Sequence, residues 1–188
     1  MTNEREALLL AAADFLSRRP NATVPEIAKA MGVSRATLHR HFAGGRAELL
    51  QALSDLAAEK LQLAIAEARI EEGDCADAVR RLVAHCEEGA PYLTLLYSFS
   101  QEEAPDIPHP AWDEADAAIY GLFERGRRSG EFTTDLTAAW LTEAFYSLMA
   151  GAVWAVQSGR CAQRDFIPMV AQMVLSGAGH NDTDKQST

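Results

Sequence analysis

Arginine, threonine and histidine crowd a short stretch of this chain: Arg35, Thr37, His39, Arg40 and His41 lie between Ser34 and Phe42, with no carboxylate among them. Such side chains suit the edge of a base pair. An arginine forks onto the two acceptors of guanine, and a threonine or alanine methyl, here Thr37 or Ala36, meets the thymine methyl. A serine at the start of a helix, with the free N–H groups beside it, holds a phosphate. The plain alternative is a solvated basic face on an ordinary helical hairpin, and residue chemistry alone leaves the two open.

The elements that must position these residues favour the first reading. Val24, Ile27, Ala28 and Met31 fall at i, i+3, i+4 and i+7, one apolar face of a short helix. Thr23 and Glu26 form the pattern of a capping box, and Pro25 fits a first turn. Gly32 suits the left-handed residue that ends the helix. Ser34 then caps a second helix whose apolar contacts are Leu38 and Phe42. Helix, glycine turn, helix is the helix-turn-helix pattern, in which the second helix enters the major groove.

The run EIAKAMGVSRATLHRHF, followed after a short loop by Glu48-Leu49-Leu50, resembles the DNA-binding domain of the tetracycline-repressor (TetR) family of transcriptional regulators. Ile27, Ala28, Gly32, Val33, Ser34, Thr37, Leu38, His41 and Phe42 match the family pattern. Two departures stand out. His39 takes the place of the usual tyrosine, and the usual lysine opening the fourth helix is missing, with the loop Ala43-Gly44-Gly45 one residue longer than common. The resemblance implies base contacts from Arg35, Ala36, Thr37, His39 and Arg40. It implies phosphate contacts from Thr23, Ser34, His41 and, in place of the lysine, Arg46.

Composition agrees with a helical regulator. Alanine and leucine dominate a chain of 188 residues that is 48% hydrophobic, which favours an all-α fold. No apolar run approaches the ~20 residues of a membrane span. The start of the chain lacks a basic region before its short apolar run, so no signal peptide is read there. Three cysteines without a CxxC pattern fit free thiols in a cytoplasm. The net charge of −10 at first opposes DNA binding. Yet residues 1–50 hold seven Lys and Arg against five carboxylates, a balance of +2 that leaves −12 for the remainder. An acidic body with a mildly basic head suits a protein that touches DNA at one end.

Along the chain, a first helix is predicted from Asn3 to Arg18, with Leu8, Ala12, Phe15 and Leu16 inward. Phe15, Ile27, Leu38 and Phe42 are the expected core of the head. A long helix from Arg46 to Glu71 carries apolar residues at helical spacing throughout and links head to body. Helices are expected over 76–88, from Pro91, over 111–129, over 136–157 and over 165–176, about nine in all. Residues 101–110, with three prolines and three carboxylates, read as a loop. The Gly130–Leu136 segment resembles the turn before the eighth helix of the family. The helix at 136–157 is apolar on more than one side, so it is buried on more than one side. With the last helix it forms the expected homodimer interface, with Trp140 and Val153 as its test positions. The domains are then 1–47 for reading DNA, 48–176 for ligand binding and dimerisation, and 177–188 as a flexible tail.

No nucleophile elbow, P-loop, GxGxxG or HExxH occurs, so no enzyme, cofactor or metal site is read. Glu102, Glu103, Asp106 and His109 cluster in sequence, but the intervening prolines preclude a shared helical face. By resemblance, the fifth to eighth helices surround an inducer pocket, and Tyr92, Phe99, Trp112, Phe123, Tyr146 and Met149 are candidates to line it. An aromatic lining with few basic groups favours an apolar or planar effector, with cations admitted through the ring faces. The expectation is a ligand-responsive regulator, a repressor that binds a palindromic operator in double-stranded DNA as a homodimer and is released by a small molecule. The rival is a small-molecule-binding or enzymatic helical protein with a vestigial helix-turn-helix.

Overall fold

Helices form wherever the apolar residues keep helical spacing, and no strand occurs among the described residues. The structure is a computed structural model and describes residues 2–19, 21–92 and 110–179. In chain order the helices are α1 (Thr2–Arg18), α2 (Val24–Ala30), α3 (Arg35–His41), α4 (Arg46–Ala68), α5 (Cys75–Cys86), α6 (Pro110–Ser129), α7 (Ala138–Gln157) and α8 (Phe166–Ala178). A short 3-10 turn, Gln163–Asp165, leads into α8. Residues 90–92 are helical as well. The expected loop over 101–110 lies outside the described residues except for Pro110, which opens α6.

Two apolar clusters divide the chain. The first joins α1, α2 and α3 to the near half of α4 through Leu9, Leu16, Ile27, Leu38, Phe42 and Leu53. Phe15, expected in this core, is only half-buried at its edge; Ala13 and Leu16 fill the centre instead. The second cluster takes the far half of α4, from Leu61 on, with α5 to α8. Tyr92 belongs to the head cluster, and Trp112 packs against both. The Trp112 indole N–H donates to Ser54 Oγ on α4 at 3.2 Å. Thus α4 is a common beam: at ~1.5 Å per residue its 23 residues span about 35 Å.

α4 stops three residues before its expected end at Glu71. Arg69 takes the left-handed conformation (φ 44°, ψ 56°). The Arg81 guanidinium, from α5, donates to the carbonyls of Ala68 at 2.7 Å, Arg69 at 3.2 Å and Glu72 at 2.7 Å. The guanidinium thus caps the end of α4 at Ala68 and ties the turn that follows it to α5. The last helix runs to Ala178, two residues into the expected tail. The Ala178 carbonyl accepts the Thr133 N–H at 2.7 Å, which ties the turn before α7 to the end of α8. In that turn Phe132 is buried against Phe123, and Gly126 makes room for its ring.

α7 carries apolar residues on more than one side, but its faces differ. Leu141, Phe145, Met149 and Val153 point into the body, while Trp140 and Trp154 stand 62% and 49% exposed. Val153 is therefore a core residue and not a surface test position; a charge there would disrupt the protomer itself. Cys75 and Cys86 are buried, Cys161 is half-buried, and all three are free thiols. Burial pushes the Cys86 thiol up to about 12. Among the described residues no helix is long and apolar enough to cross a membrane.

Candidate nucleic-acid interface

Local capping builds the head. The Glu26 carboxylate accepts the Thr23 backbone N–H at 2.8 Å and the Thr23 hydroxyl at 2.6 Å, closing the start of α2. The Thr23 hydroxyl, and secondarily its N–H, hold the Glu26 carboxyl below the usual carboxylate range. Gly32 follows with φ +70°, the conformation that lets the chain turn sharply toward α3. Ser34 Oγ then accepts the Thr37 N–H at 3.0 Å and lies 2.9 Å from the Thr37 hydroxyl.

Two side chains prop α3 against the head. Leu38 is 3% exposed and Phe42 1%. The rest of the short helix is thereby turned outward: Ser34, Arg35, Ala36, His39 and Arg40 are exposed, and Thr37 and His41 are half-buried at its flanks. The expected base-reading residues thus lie around the part of α3 that Leu38 and Phe42 leave uncovered, with Thr37 at its half-buried edge, and no acidic side chain lies in the first turn of the helix. Thr23 is exposed at the start of α2, but its hydroxyl is engaged by Glu26. Arg46 is half-buried as the first residue of α4. The loop before it turns at Gly45 (φ +68°), and Glu48 accepts the Gly44 N–H at 2.6 Å.

Arg5 was not singled out from the sequence. Its guanidinium lies 5.3 Å from the centre of the Phe42 ring, beside the end of α3. Its position on α1, far from the helix-turn-helix in sequence, hid this contact.

The six candidate effector residues separate into different settings. Phe123 and Met149 are fully buried in the body core, and Phe123 packs on Phe132 with ring centres 6.0 Å apart. Tyr92 is buried with the head cluster, and Trp112 is half-buried between the clusters. Tyr146 meets Phe145 edge-on at 5.6 Å, and its hydroxyl is buried without a hydrogen-bond partner among the described residues. Burial, and next the charge of Asp116, push the Tyr146 phenol well above its ordinary value. Phe99 lies outside the described residues. Two open surface cavities lie elsewhere, on the outer side of α6. One of about 560 Å³ is lined by Tyr120, Gly121 and Arg128 among others. The second, of about 400 Å³, lies beside Ile70 and Ala118. Among the described residues no group of three or more His, Cys, Asp or Glu is placed to hold a metal.

A family profile described as "Bacterial regulatory proteins, tetR family" matches residues 8–53. The chain is 36% identical over 180 residues to the HTH-type transcriptional regulator NfxB of Pseudomonas aeruginosa, covering 93% of this chain and 94% of that one. It is 30% identical over 156 residues to the HTH-type transcriptional repressor LfrR of Mycolicibacterium smegmatis, covering 82% and 80%. Among solved structures, the TetR-like regulator LfrR in complex with proflavine superposes with a TM-score of 0.70 at 27% identity, covering 95% of this chain and 97% of that one.

Proposed function

The chain belongs to the TetR family of bacterial transcriptional regulators, and from that premise we propose that it is a cytoplasmic repressor that binds a palindromic operator as a homodimer and leaves it when a small molecule binds the body. The observation that carries the DNA reading is the outward face of α3. A capped helix presents Arg35, Ala36, His39 and Arg40 to solvent with Thr37 half-buried at the edge, and Leu38 and Phe42 fix its orientation. Thr23, Ser34, His41 and Arg46 then hold phosphates on either side of the groove. Thr23 does so by turning its hydroxyl from Glu26.

Residues 1–47 serve as the DNA-reading unit and 48–176 as the effector-binding and pairing unit. The pairing surface is the outer face of α7 and α8. Trp140, Gly151 and Trp154 lie along it on α7, and Met169 and Met173 on α8. A Cβ at Gly151 would meet nothing within 4 Å in the protomer, so the position is open to a partner helix. Two-fold pairing places the two α3 helices ~34 Å apart, one turn of DNA.

The effector is a planar aromatic compound of neutral or cationic character. Trp112 and Tyr146 supply ring faces, Asp116 beside the Tyr146 hydroxyl supplies negative charge, and the relative solved with proflavine supports this class. Trp112 touches both clusters, so a ligand that moves it biases the position of α4 and with it the head. The test is selection of bound sequences from a random duplex pool by the full-length protein, followed by release with planar aromatic cations. Enrichment of a palindrome with half-sites about one turn apart is expected. Recovery of no common sequence would refute the reading.

A further inference from the structure

Helix α1 belongs to the head, yet it is fastened to the body near both of its ends. Near its start, Glu6 accepts the Lys60 ammonium at 2.9 Å, and the same ammonium reaches Glu88, beyond the end of α5, at 3.3 Å. The Lys60 stem is pressed against Gly89, where an added Cβ would come within 3.3 Å of it. Near the end of α1, Gln157 donates its amide N–H to Asp14 Oδ1 at 3.2 Å, and its carbonyl lies 3.3 Å from the Ser17 hydroxyl, which shares its one proton with the Asp14 carbonyl at 2.9 Å. Glu6 and Ser17 are ~16 Å apart along a helix rising about 1.5 Å per residue. One attachment leaves a pivot; two so far apart set the angle of the rod.

Gln157 is the last residue of α7, the helix that carries Trp140 and Trp154. The geometry points to Gln157 and Lys60 as positioning residues that set the angle of the DNA-reading head against the pairing helix, and so the separation of the two α3 helices in a dimer. This rests on the reading that the chain binds DNA as a pair. The two fastenings differ in chemistry. Glu6–Lys60–Glu88 is a partly exposed ion network that salt weakens, whereas the Gln157 contacts come from a neutral amide and are less sensitive to salt.

The test uses full-length protein in a Cys161→Ser background, with spin labels at Ala30→Cys on α2 and Ala84→Cys on α5, both exposed positions, and DNA affinity is read on the unlabelled variants. Labelled protomers are diluted with unlabelled ones, so that pulsed dipolar spectroscopy reads the head-to-body distance within a protomer. Gln157→Glu places a carboxylate against Asp14. It is expected to shift or broaden that distance and to weaken binding of the selected palindrome about tenfold, as when a tenth of the molecules keep the competent angle. The melting temperature should hold, since Gln157 lies at the surface end of α7. Adding Asp14→Asn restores an amide–carboxylate pair and should restore both readouts. Lys60→Met, which keeps the stem, should loosen the head from its other end. An unchanged distance in Gln157→Glu overturns the inference, as does a changed distance with unchanged affinity. Failure of the wild-type protein to select any DNA is a separate result, and it overturns the function on which the inference rests.

Discussion

Trp140→Glu tests the pairing surface most cleanly. The indole is 62% exposed, so of the roughly 250 Å² a tryptophan presents, about 150 Å² is free for a partner helix to cover. At ~25 cal/mol per Å² that cover is worth about 4 kcal/mol at most. Area converts incompletely at interfaces, so about 2–3 kcal/mol per protomer is a fair expectation. Two-fold symmetry counts the change twice, giving ~4–6 kcal/mol and a dimer weakened by a factor of about 10³–10⁴. The introduced carboxylate also lies one turn from Glu143, on the same helix. Sedimentation velocity at micromolar concentration should show monomers with native helical circular dichroism, because the side chain supports little of the protomer's own core. A variant that sediments as the wild-type dimer would show that this face is not the interface.

Three further outcomes follow from local chemistry. Arg46→Ala should weaken binding to all duplexes alike and lower the slope of log K against log salt by ~1, one released counterion; a loss confined to the selected sequence would contradict a phosphate role. Gly126→Ala places a methyl 2.2 Å from the Phe132 ring, so despite better helix propensity it should cost ~1–2 kcal/mol in chemical denaturation; a gain in stability would contradict the packing seen there. For Glu26, the Thr23 bonds favour the ionised carboxyl, so its folded value lies below 4.5. Its contribution is therefore full above that pH and fades as pH falls through the lower folded value. The stability difference between wild type and Glu26→Gln should shrink toward zero in acid; a difference that grows there would reverse the assignment.

The parts of the fold that were readable share one property: their causes are local. Thr23 with Glu26, Gly32, and Ser34 with Thr37 each act within a few residues, so the helix-turn-helix and its exposed face could be read from the chain alone. Helix types and most boundaries were readable for the same reason. The end of α4 was not, because Arg81 of the next helix takes the carbonyls of Ala68 and Arg69 where it stops. Val153 was misplaced because α7 carries apolar residues on more than one side, and periodicity does not say which side meets the body. Phe15 lost the centre of the head core to Ala13 and Leu16, whose fit depends on how closely α4 approaches. The bond from Gln157 to Asp14 spans 143 residues in sequence and leaves no pattern in it. For the effector residues, residue type alone did not separate Phe123 and Met149, both core, from Tyr146, whose hydroxyl lies beside Asp116.

The central claim is that the first turn of α3 reads base edges, and Arg35 tests it most directly. Fluorescence anisotropy with the selected palindrome and with single-base variants of it should show Arg35→Ala weakened by about 1–3 kcal/mol on the selected site, with discrimination relaxed at one base pair in each half-site and retained elsewhere. Equal affinity of wild type and Arg35→Ala across the whole series would contradict it.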